Sequence, residues 1–82
     1  MPNRCVLTLK DVTDDQLEKY KENIVDDWLI IEESLQKTGN GMFMLILRTP
    51  MFRYGITEVF KEVFKEDQFQ IIHLKPIEEQ AA

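Results

Sequence analysis

Gly41-Met42-Phe43-Met44-Leu45-Ile46-Leu47 carries no charge over seven residues, and six of the seven are large and apolar. A strand that is wet on one face alternates apolar with polar residues. This run does not, and it reads as a central strand covered on both faces. The chain has 82 residues, too few to lay helices of its own over both sides of a sheet. The run therefore predicts a cover from outside, either a second copy of the chain or another protein.

The segments on either side must supply the rest of the sheet and one layer of helix. From Arg4 to Lys10 the residues alternate in part, with Cys5, Leu7 and Leu9 on one face and Arg4, Val6, Thr8 and Lys10 on the other. That is a strand with one good core face. Thr13-Asp14-Asp15-Gln16 then fits a capping box, with two carboxylates in the first turn where the helix dipole favours them. Leu17, Tyr20 and Ile24 continue it as a helical stripe.

The stretch before the central strand reads in two ways. Trp28, Ile31 and Leu35 prolong the stripe, so one long helix from Asp14 to about Lys37, closed by Gly39, gives a βαβαβ chain. Against it, Asp26-Asp27 would fall in mid-helix, where Asp is a poor former. Such a helix would also be about 36 Å long beside strands of about 23 Å. The preferred reading ends the helix near Asp26, makes Trp28 to Gln36 a strand, and turns a hairpin through Lys37-Thr38-Gly39-Asn40-Gly41.

After the central strand, Thr49-Pro50 is a stop and a possible helix start. Phe52, Ile56, Val59, Phe60, Val63 and Phe64 line one helical face, and Val-Phe-Lys-Glu occurs at 59–62 and again at 63–66. Phe69 to Lys75 is the last strand. The expected fold is α+β, a ferredoxin-like plait (βαββαβ): a four-stranded antiparallel sheet with two helices on one face. Residues 1–76 make the single domain and 77–82 a flexible acidic tail.

Composition narrows the function. Hydrophobic residues are 44% and charged residues 30%, as in a folded globular domain. No apolar run is long enough to span a bilayer, and no secretory segment precedes the first strand, so the expected setting is cytoplasmic, with no membrane partner. Cys5 stands alone, which excludes an internal disulfide, and one Cys with one His makes no zinc set. Asp and Glu doublets at 14–15, 26–27, 32–33 and 78–79 read as solvated charge. No metal or cofactor is expected.

Catalysis finds little support. Ser34 is the only serine and His73 the only histidine. A Cys5–His73 pair is possible if the first and last strands are neighbours, and no other nucleophile-and-base set suggests itself. The chain reads as non-enzymatic. The RNA-recognition module shares the layout and stacks bases on aromatics of its first and third strands. Here the third strand offers only Phe43 and the first none, and fifteen acidic against ten basic residues give a net charge of −5, which disfavours nucleic acid.

The expected function is a small interaction or regulatory domain that associates through an apolar open sheet face, as a homodimer or with another protein. Its candidate residues are Val6, Trp28, Met42, Met44 and Ile46, with Arg48, Arg53 and Tyr54 from the strand-to-helix loop Arg48–Gly55, where arginines and aromatics favour interfaces. The alternatives are a small-molecule regulatory site at a dimer interface and a single-stranded RNA binder.

Overall fold

The structure, a computed structural model, describes residues 2–25 and 29–77. Its elements run β1 (Asn3–Leu9), α1 (Asp14–Tyr20, prolonged by a π-helical turn, Lys21–Val25), β2 (Ile31–Gly39), β3 (Met42–Thr49), α2 (Arg53–Lys61) and β4 (Phe69–Pro76). The chain is α+β. Its four strands form one antiparallel sheet in the order β2-β3-β1-β4, with β1 and β3 in the middle.

Helix α1 begins where the capping box puts it. The Thr13 hydroxyl accepts from the Gln16 amide and the Gln16 side chain accepts from the Thr13 amide, each at 3.2 Å. The described helical stretch reaches Val25, and residues 31–39 are extended, so the long-helix alternative does not occur. Strand β2 starts at Ile31 and not at Trp28, and it runs on to Gly39. Asp26, Asp27 and Trp28 lie outside the described residues.

The hairpin turn is correspondingly tighter than expected, Asn40-Gly41 alone. Gly41 takes φ +70, and its carbonyl accepts from the Val12 amide at 3.0 Å, which ties the hairpin to the β1–α1 loop. Asp11 in that loop also has a positive φ, 53, a conformation that Asp tolerates better than most residues. Bulges leave Glu33 and Thr38 of β2 and Ile72 of β4 out of register. Both edge strands are thus interrupted, which discourages further strand pairing.

One core forms on one side of the sheet. Cys5, Leu7 and Leu9 of β1 and Leu45 and Leu47 of β3 are buried together with Tyr20, Ile24, Ile56, Phe60 and Phe64. Tyr20, Phe60 and Phe64 form a ring cluster with centroids 5.9–6.3 Å apart, a spacing at which aromatic pairs attract. The Tyr20 hydroxyl donates to Glu32 at 2.7 Å, so its polar end is satisfied.

Two further expectations need correction. Helix α2 starts at Arg53 and not at Pro50, and Phe52 precedes it at 71% exposure instead of lying in the core. The helix closes at Lys61, although Phe64 donates to the Phe60 carbonyl at 2.8 Å and keeps the apolar stripe facing inward. At the other end, Ile77 donates to Pro2 at 2.9 Å and so belongs to the pairing of β1 with β4; the rest of the expected tail lies outside the described residues.

Candidate functional site

Strand register builds the sheet face that the helices leave open. Across β2, β3, β1 and β4 the first rung reads Ile31, Arg48, Arg4, Lys75. The second reads Ser34, Ile46, Val6, His73, and the third Gln36, Met44, Thr8, Gln70. Met42 follows Met44 with the same parity, opposite Gly39. The inward parity of β3, namely Phe43, Leu45, Leu47 and Thr49, packs toward the helices.

The apolar run of β3 is therefore divided between two environments. Leu45 and Leu47 are fully buried, whereas Met44 is 36% and Met42 47% exposed, and Ile46 and Val6 are half-buried. Ile31, at 59% exposure, extends the apolar band toward the β2 edge. Of the residues expected to form an interaction surface, Val6, Met42, Met44, Ile46 and Arg48 share this face. Arg53 and Tyr54 do not: they sit in the first turn of α2, in the helix layer, exposed beside Phe52. Trp28 is not among the described residues. The surface expected from sequence thus splits into a sheet face and a separate patch at the start of α2.

One end of the open face is cationic. Arg48, Arg4 and Lys75 lie on three adjacent strands in direct opposition. Like charges so placed repel, their Cβ atoms being about 5 Å apart. Among the described residues one carboxylate offsets them. Glu33, displaced by the β2 bulge, accepts from Arg4 through Nε at 3.1 Å and through its terminal nitrogen at 3.3 Å, and lies 3.6 Å from Arg48 Nε. The Arg4 guanidinium holds the Glu33 carboxyl below its ordinary range, with Arg48 adding to the effect. Arg48 Nε is itself buried without a hydrogen bond. Arg4, His73, Lys75, Pro76 and Ile77 line a shallow depression at this end. At the other end of the face a second depression is lined by Thr8, Met42 and Gln70 with Lys10, Glu66 and Asp67.

No single segment of the sequence announces this row. Alternation puts Arg4 on the same parity as Val6, but only the pairing register shows that it meets both Arg48 and Lys75. The visible signal was a basic residue near the end of each of three strands.

The residues considered for catalysis do not come together. β1 and β4 are neighbours, but Cys5 is paired with Leu74 and is buried toward the helices. His73 is paired with Val6, on the open face. The sheet separates the two groups, and burial pushes the Cys5 thiol up to about 11 even with the opposing pull of Arg53. Among the described residues no group of three or more His, Cys, Asp or Glu side chains is placed to hold a metal ion, and no helix is long and apolar enough to cross a membrane. No protein-family model, curated protein or solved structure matches the chain.

Proposed function

We propose that this chain is a ferredoxin-like plait that works as a non-enzymatic protein-interaction domain in the cytoplasm, and that the open face of β3 and β1 is its working surface. The observation that carries the reading is the outward parity of β3. Met42, Met44 and Ile46 stand in succession on a central strand, with Val6 beside Ile46, and no helix among the described residues packs over them. A central strand that served only the monomer would carry polar residues on that parity. Large side chains there gain about 1.5–3 kcal/mol each when an association buries them fully, before the entropy of association is subtracted.

Phe43 weighs against the single-stranded RNA reading. It is the only aromatic of the two middle strands, and it packs against the core, so it offers no stacking surface outside.

Two single charges test the proposal. Leu45→Lys places a charge in the core and unfolds the domain. Met44→Lys leaves the circular dichroism melt nearly unchanged and abolishes association, read as mass by sedimentation or as loss of a bound protein. A folded Met44→Lys chain with undiminished association refutes the assignment of this face.

A further inference from the structure

The Arg48-Arg4-Lys75 row lacks acceptors for the charge it carries. Among the described residues its three cations meet one carboxylate, Glu33, which leaves an excess of two positive charges. Glu33 does not complete both arginines. One of its oxygens accepts from Arg4 Nε at 3.1 Å and the other from the Arg4 terminal nitrogen at 3.3 Å. Arg48 Nε is left 3.6 Å away, buried and without a hydrogen bond. On the other side of Arg4, Lys75 and His73 are exposed, and neither side chain has a hydrogen bond or salt bridge among the described residues. The chain as a whole carries −5, so this excess runs against its general character, and directly opposed cations cost the fold repulsion.

A depression adjoins the unpaired side of the row. It is lined by Arg4, Lys75 and His73, with Pro76 and Ile77 closing it, and no described carboxylate lines it. Pairing register fixes its layout. Arg4 stands directly opposite Lys75, and His73, opposite Val6, is the next β4 residue of the same face. Directly opposed Cβ atoms lie about 5 Å apart and diagonal neighbours about 7–8 Å, within the reach of long side chains. One compact anion seated between Arg4 and Lys75 thus meets both cations and the imidazole.

We propose that this depression binds a phosphate dianion, free or as the monoester of a small molecule, held by Arg4 and Lys75 with His73 as a third donor. Charge selects the class: a phosphate monoester carries about −1.5 to −2 at pH 7, which matches the excess, whereas a single carboxylate carries half as much. The donors suit it as well. A guanidinium offers a planar fork to phosphate oxygens and an ammonium adds a point charge. The site stands apart from the apolar middle of the face and does not depend on what covers Met42, Met44 and Ile46. It is shallow and open to water, so it belongs to the weak, salt-sensitive class.

The test follows the nuclear magnetic resonances of the 82-residue chain at pH 8 while inorganic phosphate replaces sodium chloride at constant ionic strength. Signals of Arg4, His73 and Lys75 shift together and saturate within tens of millimolar, and sodium acetate in the same exchange does not saturate them. Phenyl phosphate separates the two sources: tighter binding than inorganic phosphate assigns the site to an ester that rests on Pro76 and Ile77, and equal binding assigns it to the free ion.

Lys75→Gln and Arg4→Gln each weaken binding about fivefold or more. Lys75 is exposed on an edge strand, so its variant keeps the wild-type melt. Lys19→Gln, the same change of charge on the exposed side of α1, leaves binding unchanged. Glu33→Gln removes the carboxylate that competes for Arg4 and tightens binding. Met44→Lys leaves it unchanged, so the anion site and the interaction reading fail separately. Shifts that never saturate, that acetate reproduces, or that Lys19→Gln reduces as much as Lys75→Gln overturn the site. Weaker binding by Glu33→Gln overturns the placement of the anion on Arg4. Glu78 and Glu79 follow Ile77 in the sequence. Saturation seen only when both are changed to Gln would mean that the chain's own carboxylates answer the row, and overturns the external anion.

Discussion

At the scale of single residues, the molecule places its one thiol where it cannot act. Cys5 is fully buried on β1, and its value rises from 9.0 to about 11 by desolvation. An unfolded chain ionises this thiol from about pH 9 and the folded chain only near 11, so the unfolded state sheds its proton first. The stability conferred by the neutral thiol is whole below pH 9 and drains away toward pH 11, about 2–3 kcal/mol over the window. Burial pushes the Tyr20 hydroxyl up as well, with its bond to Glu32 adding to the shift, so tyrosine joins the alkaline loss above pH 10. Urea midpoints at pH 8, 9 and 10 separate the two: Cys5→Ala flattens the decline between 9 and 10. A decline of undiminished slope in that variant would mean that the thiol is not its source.

Gln68 is the other telling residue. It is 8% exposed, and its amide nitrogen donates to the Asp11 carbonyl at 2.8 Å and to Gln16 Oε1 at 3.0 Å, while its oxygen accepts from Gln16 at 2.7 Å and from the Lys65 amide at 2.9 Å. One side chain thus joins the β1–α1 loop, α1 and the approach to β4. Gln68→Leu keeps the volume and strands those partners, at a cost of about 2–3 kcal/mol, which is a fall of roughly 10–20 °C in melting temperature for a domain of this size. A fall of only a degree or two would mean that water replaces the amide without loss.

At the scale of elements, Gly39 and Gly41 look alike in the sequence and differ in the structure. Gly41 has φ +70, and Gly41→Ala costs about 1 kcal/mol in conformation alone. Gly39 has ordinary backbone, and an added Cβ would lie 3.3 Å from Met42 Sδ, the movable part of a flexible side chain. Gly39→Ala therefore changes stability by less than about 0.5 kcal/mol. Equal losses in the two denaturation curves would contradict the assignment of the turn to Asn40-Gly41.

Such local chemistry explains which elements were legible. The α1 start was readable because a capping box is a pattern of four adjacent residues. The strands were readable because Cys5, Leu7 and Leu9 share a parity. The start of α2 was not, because Phe52 belongs by spacing to the apolar stripe, while its place before the first turn leaves it in solvent. The π-helical turn after Tyr20 has no sequence signal that distinguishes it from ordinary helix. The cationic row escaped for a different reason. Arg4, Arg48 and Lys75 are far apart in the chain, and pairing register, displaced by bulges at Glu33 and Ile72, is a property of the assembled sheet.

At the scale of the whole molecule, net charge and apolar burial act in opposite senses. Two copies approaching each other each carry −5 and repel, whereas burial of the open face attracts only at contact. Ionic strength separates the two effects because it sets the distance over which charge is felt. The screening length is about 30 Å at 0.01 M, which exceeds the 22 × 19 Å cross-section of the fold, so each copy feels the other's whole charge. At 0.15 M it is about 8 Å, and only groups that meet across the interface still interact. At 1 M it is about 3 Å, which weakens those contacts too and leaves mainly apolar burial. Any self-association through the open face is accordingly tighter at 1 M than at 0.01 M salt, as read by sedimentation velocity at a fixed chain concentration. Association that weakens as salt rises would mean that paired charges, and not burial of Val6, Met42, Met44 and Ile46, hold the copies together.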